Sequence, residues 1–184
     1  MQLTENSVEQ SNITSETTGN SAQMTDSQDN ARLGVVIGGQ SVLLNMTDVS
    51  EVLPVPALQA VPLTKHWYLG VANVRGNLYS VTDLALFLGW QSAPRAASSR
   101  IVLINSVKTS QAAILIDAVI GLRHLTAMQP LATEQLEPIH SLWAQQDISC
   151  FSAQVYVDRE EKRWFALEMD ALVQDTRFLQ PSLA

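Results

Sequence analysis

Three histidines, His66, His124 and His140, and one cysteine, Cys150, are the side chains of this 184-residue chain that could ligate a metal or attack a carbonyl. A structural or catalytic zinc needs three or four such ligands, usually supplied as short pairs a few residues apart. The histidines are scattered, and none has a Cys or a second His at that spacing. A nucleophilic cysteine needs a nearby base or cation to hold its thiolate. Cys150 sits in Ile148-Ser149-Cys150-Phe151-Ser152 with neither, so it reads as a small buried hydrophobe. Gly38-Gly39 leads into a strand pattern and not a helix, so the glycines form no phosphate-binding loop and no dinucleotide fingerprint. No cofactor, no metal and no enzymatic activity are expected. His66-Trp67-Tyr68 reads as packing before a strand, or as a shelf for a small ligand.

What remains is recognition chemistry. Arg75 and Glu51 are opposite charges at strand ends within one half of the chain. They either pair with each other and fix a hairpin, or face a partner; exposed pairs are worth little to stability. Asp83 precedes Leu84-Ala85-Leu86-Phe87-Leu88 and Gly89, the order of an N-cap, a short helix and its glycine stop. Glu168 stands in the same way before Met169 to Val173, and both acids read as caps before they read as ligands.

The elements that must position these residues are short strands. Residues 70–74 and 78–82 alternate as a hairpin around Arg75-Gly76-Asn77, with Gly76 and Asn77 best able to take positive φ. Gly70, Asn73 and Gly76 belong to this motif, with Asp83 at its end. A first hairpin turns at Gly38-Gly39-Gln40, and residues 47–53 predict a helical turn leading into a strand. Pro54, Pro56 and Pro62 argue against regular ladder pairing up to Trp67-Tyr68. After a small, polar connector over 91–99 the pattern repeats: strands 101–104 and 112–116, then Asp117 to Leu122 in the place of Asp48 to Val52. Strands 154–157 and 163–167 follow around a charged turn, and Thr133 to Glu137 predicts a helical turn ending near Pro138. Repeated short strands with few helices favour small closed barrels.

The formal net charge is −7, of which −5 falls in residues 1–30, where no Lys or Arg occurs. That segment, rich in Ser, Thr, Asn and Gln, is expected to be a disordered acidic tail. The remainder is nearly neutral with no basic stripe, which argues against nucleic acid as partner. One cysteine excludes an internal disulfide and fits a reducing compartment. No apolar run approaches the roughly 20 residues of a membrane span, and the N-terminus has no secretion signal. A cytoplasmic protein without direct membrane insertion is expected.

In order, Gly39-Gln40, Val49-Ser50-Glu51-Val52, Gly70-Val71-Ala72-Asn73-Val74-Arg75-Gly76, Val81-Thr82-Asp83-Leu84 and Ile116-Asp117-Ala118-Val119 are similar to the CheW-type coupling proteins of bacterial chemosensory arrays. The resemblance spans residues 33–173. It implies an all-β fold of two five-stranded SH3-like β-barrels packed around a shared core, with a few short helices. As expectations, residues 31–180 form a single such domain, barrel one over about 42–90 and barrel two over about 100–175, with exchange of terminal strands between them allowed. The implied role is a non-catalytic adaptor that joins the cytoplasmic tip of a chemoreceptor to the regulatory domain of a CheA-type histidine kinase. Such an adaptor is recruited to membrane-associated receptor arrays. The acidic tail and divergent second half look like the paralogue of type IV pilus, twitching-motility systems; flagellar chemotaxis is the alternative output. A fused phosphoacceptor domain is not expected.

The resemblance also places Arg75 and Glu51 beside the receptor groove, and Val49, Val119 and Leu122 on the receptor-facing surface. Aliphatics in a β-rich chain otherwise read as core. Two departures weaken the second barrel's match: Ile120-Gly121 replaces a polar-acidic pair, and Ile148 to Ser152 replaces a strand opened by glycine. A second functional class stays open, a small β-barrel enzyme or metabolite-binding protein with its site between the barrels.

Overall fold

The computed structural model describes residues 30–146 and 148–183; the expected acidic tail, up to residue 29, lies outside them. Among the described residues, twelve strands fall into two six-stranded sheets. One holds β3 (Val49–Pro54), β7 (Arg100–Ile104), β8 (Ala112–Ile116), β6 (Asn77–Asp83), β5 (Tyr68–Val74) and β4 (Leu58–Gln59), in that order. The other holds β9 (Ala118–His124), β1 (Ala31–Ile37), β2 (Gln40–Asn45), β12 (Arg163–Leu167), β11 (Phe151–Val157) and β10 (Gln129–Pro130). The two orders correspond strand for strand. Each sheet has five full strands and a two-residue sixth, which is how the expected five-stranded barrels are realised. In each sheet one pair is parallel, β6 with β8 and β12 with β2.

The sheets do not divide at the 91–99 connector. The β1–β2 hairpin, which precedes the connector, pairs with β9 and β12, which follow it. The β7–β8 hairpin, read as opening the second barrel, pairs with β3 and β6 of the first. The repeat is real, and the first hairpin of each half pairs with strands of the other half. Local alternation marks a strand; it carries no information about its distant partner.

Three apolar clusters result. Ile101, Leu103, Ala113 and Leu115 fill the first barrel with Ala72, Val74 and Val81. Leu43, Met128 and Trp164 fill the second. The opposite faces of the same central strands, Val35, Val42 and Leu44 with Val102, Ile114 and Ile116, join the helices in a shared core. Strands buried on both sides read as continuous apolar runs, as 101–104 and 112–116 do.

Several local readings are revised. The β5–β6 turn has two residues, since Val74 pairs with Asn77, and positive φ falls on Arg75 (53°) and Gly76 (87°), not on Asn77. This is the twist-matched two-residue hairpin turn, braced by Asn73 Oδ1 accepting from the Gly76 amide at 2.9 Å. Pro54 does join a ladder, opposite Arg100, because β3 is an edge strand that can spare an N–H. The helical turn before β3 is a 3-10 turn over Met46–Asp48.

Four α-helices occur among the described residues: α1 (Leu84–Phe87), α2 (Thr133–Gln145), α3 (Met169–Gln174) and α4 (Thr176–Leu179). Helix α2 runs through Pro138 instead of ending there. Leu136, Ile139 and Trp143, at helical spacing, pack on the shared core, and Trp143 stacks on Phe151 at 5.2 Å. That burial outweighs the bond lost at proline. Asp83 caps α1, accepting from the Leu86 amide at 3.1 Å, while its other oxygen accepts from the Ser92 hydroxyl at 2.6 Å. Glu168 holds the cap position of α3, but its side chain makes no capping bond.

Candidate partner-binding surface

Glu51 lies on β3 and Arg75 at the β5–β6 tip, elements that are not neighbours in their sheet. Curvature brings the edge strand to the hairpin, and Arg75 donates to Glu51 Oε1 at 2.6 Å. Three-quarters of the Arg75 side chain stays exposed, against 29% of Glu51. The guanidinium is thus held by one carboxylate while presenting most of its donors outward.

Val119 and Leu122 lie on β9, which pairs on one side only, with β1. The register runs Leu33 to Leu122, Gly34 to Gly121 and Val35 to Val119, leaving Ile120 as a bulge. Three positions apart in a regular strand, these side chains would point to opposite faces. The extra residue places both on the same face. Both are exposed, at 41% and 53%. Val49 occupies the equivalent place on β3, also beside a bulge, but it is half-buried and packs against the shared core. The structure therefore groups Val119 with Leu122, joins Glu51 to Arg75, and assigns Val49 to packing as much as to surface.

The motif residues serve the frame. Gly70 has φ of 113°, and a Cβ there would stand 2.1 Å from the Gln59 carbonyl oxygen. Asp117 donates its amide to the Val36 carbonyl (2.8 Å), accepts from the Gly39 amide on its carboxylate (3.1 Å) and from the Ser98 hydroxyl on its carbonyl (3.1 Å). It ties the β1–β2 turn and the connector to the root of β9.

A second tie was not evident in the sequence. Lys108, in the β7–β8 loop, donates to Asp170 of α3 at 2.6 Å and lies 3.3 Å from the buried Asp48. The Asp170 hydrogen bond, with Asp48 behind it, raises the ammonium above its ordinary value although partial burial opposes the shift. Asp48 and Asp117 precede equivalent edge strands, and that repetition was the available signal. The polar cleft around this tie holds only about 160 Å³.

Burial pushes the Cys150 thiol up to about 12, which keeps it protonated and unreactive. His140 bonds the Ala153 carbonyl, at 2.7 Å, and its ring lies tilted beside that of Trp143, with centres 5.6 Å apart. Among the described residues no cluster of three His, Cys, Asp or Glu could hold a metal, and no helix is long and apolar enough to cross a membrane.

The sequence profile of the CheW-like domain matches residues 32–177. Protein PilI of Pseudomonas aeruginosa is 32% identical over 149 residues, 80% of this chain and 77% of that protein. Chemotaxis protein CheW of Thermotoga maritima is 26% identical over 97 residues, 53% of this chain and 63% of that one. In three dimensions the scaffolding protein TtCheW of Thermoanaerobacter tengcongensis superposes with a TM-score of 0.61 at 18% identity, covering 84% of this chain and 98% of its own.

Proposed function

The chain belongs to the CheW-like domain family, and from that premise we propose that it is a non-catalytic adaptor coupling a chemoreceptor's cytoplasmic tip to the regulatory domain of a CheA-type histidine kinase. CheW-like proteins are coupling scaffolds of chemosensory systems, and the array partners follow from that role. The observation that carries the reading is the pair of exposed aliphatics, Val119 and Leu122, turned to one face of an edge strand by the bulge between them. Apolar side chains displayed together on a rigid strand suit a reversible protein contact. The charged pair Glu51 and Arg75 adds orientation at the other barrel. Mechanism is then positional: receptor and kinase bind one body, and a shift in either biases the other through linked binding equilibria.

The similarity to PilI supports twitching motility driven by type IV pili as the output. The space between the barrels is occupied by the shared core, and the small cleft at Lys108 falls below the several hundred Å³ typical of ligand sites. This weighs against a metabolite site between the barrels.

The test is reconstitution of receptor-tip fragments, kinase and this protein. Kinase activity should respond to the receptor only when the protein is present, and Leu122→Ser should weaken the assembly. A receptor-dependent kinase response of equal size without it overturns the proposal. Deletion in the native cell should abolish twitching and spare swimming; the reverse phenotype would reassign the output to flagella.

A further inference from the structure

The family match stops at residue 177, yet the chain continues and returns across the first barrel. Beyond α4 the Pro181 carbonyl accepts from the Lys65 amide and the Leu183 amide donates to the Leu63 carbonyl, both at 2.8 Å. Thr64 and Ser182 face each other as an antiparallel bridge. It is an isolated bridge outside both sheets, a single step of the backbone pairing by which extended peptides are taken up.

The seat is lightly held. The backbone bonds from the Lys65 and Leu183 amides are each worth roughly tenfold in an equilibrium at most. The apolar side chains do not bury: Leu63, Leu179 and Leu183 are 79%, 53% and 64% exposed. Clefts of about 440 Å³ and about 160 Å³ lie along the segment, the first beside Lys65 and Gln180, the second beside Tyr68 and Phe178. Leu63 sits at φ 58°, a left-handed backbone that a bulky residue adopts only under constraint. The residues just before are anchored. Phe178 is buried edge-on against Phe87 at 5.6 Å, and Arg177 lies over the same ring while pairing with Asp175.

We propose that residues 180–183 form a releasable strap, hinged after the Phe178 anchor, which pairs with the 63–65 segment in cis and on lifting leaves its backbone groups open to an extended, uncharged peptide segment in trans. The occupant seen here defines that chemistry, since Gln180-Pro181-Ser182-Leu183 carries no charged side chain.

Thr64 and Ser182 form a non-hydrogen-bonded pair, whose Cα atoms are about 4.5 Å apart, within disulfide range. The T64C/S182C double variant of the full chain should therefore lock the strap on oxidation, with Cys150 too buried and too basic to interfere. In the unlocked protein the Lys65 and Leu183 amides should exchange with solvent roughly 100-fold or more faster than the amide of Ile114 in the central strand β8, and locking should slow both. A labelled, end-capped peptide of residues 179–183 should bind the reduced double variant and lose about tenfold or more of its affinity on oxidation. Leu183→Pro, which deletes one strap bond without a cysteine, should raise peptide binding. Exchange at Lys65 and Leu183 as slow as at Ile114, or peptide binding that oxidation and Leu183→Pro leave unchanged, overturns the proposal.

Discussion

Gly34 lies directly beneath Trp164: a Cβ at position 34 would stand 2.9 Å from Trp164 Cζ3, 3.0 Å from Arg123 Cγ and 3.1 Å from the Gly121 carbonyl oxygen. Trp164 is fully buried in the second barrel, with the Arg123 and Lys162 cations 5.2 and 5.3 Å from its ring centre. The glycine is there for space and not for an unusual φ.

Gly34→Ala should therefore overpack the barrel and destabilise the protein by about 1–3 kcal/mol, measured as a shift in urea midpoint. Combined with Trp164→Phe, which removes the crowding ring, the alanine should cost less than it does alone. Additive costs would place the strain elsewhere.

The same tryptophan sets an acid limit. Burial works against the Asp158 carboxylate, but it accepts the Trp164 indole N–H at 2.8 Å and the Glu160 and Lys162 amides at 2.9 and 3.0 Å, and these hold it below its ordinary value. Arg177 holds Asp175 down in the same sense, against partial burial. Unfolded aspartates take up protons near pH 4, while the folded ones resist. The native state then binds fewer protons, so this stability is complete above about pH 4 and is lost as pH falls through the lowered folded values. Urea midpoints from pH 7 to 3 should show the loss, and Asp158→Asn should shrink its pH-dependent part. An unchanged acid slope in that variant would remove Asp158 from the account.

What the sequence revealed, and what it hid, follows from the range of each signal. Asp83 as a cap, the Gly38-Gly39 turn and the strands on both sides of Asp158 depend on near neighbours, and the structure has them. Which barrel receives the β1–β2 hairpin depends on β9 and β12, more than 70 residues away, where no local pattern reaches. Helix α2 continues past Pro138 because Trp143 finds Phe151, a tertiary reward that propensity does not contain. The pairing of Glu51 with Arg75 was legible as opposite charges at strand ends. The tie from Lys108 to Asp170 spans 62 residues and was not. Val49, next after Asp48, and Val119, two after Asp117, each lie beside the bulge of equivalent edge strands and look alike in sequence; only packing separates them.

The Glu51 and Arg75 pair gives the third prediction. Arg75 is largely solvated, so breaking the pair should cost folding at most about 1 kcal/mol. Arg75→Ala should leave the melting temperature within a few degrees of wild type while weakening receptor-fragment binding severalfold in titration calorimetry. Glu51→Gln should do less, because the guanidinium remains. A fall in binding no larger than the fall in folding stability would make the pair purely structural.

Val49, Val119 and Leu122 allow the sharpest separation of surface from core. Val119→Ser and Leu122→Ser remove apolar area that already faces solvent, and surface changes of this kind usually stay within about 0.5 kcal/mol of wild-type stability. Burying either side chain against a partner is worth roughly 1.5–3 kcal/mol, so each substitution should reduce affinity by about tenfold or more with an unchanged denaturation midpoint. Val49→Ala removes two methyls that pack on the shared core, and it should lower stability by about 1–2 kcal/mol whatever it does to binding. Measuring midpoint and affinity for all three on the same preparations distinguishes the roles: loss of binding without loss of stability at β9, and loss of stability at β3. If Val119→Ser and Leu122→Ser bind receptor and kinase fragments as wild type does, the bulge merely blunts an exposed edge against aggregation, and the adaptor's contact surface must be sought at the Arg75 hairpin instead.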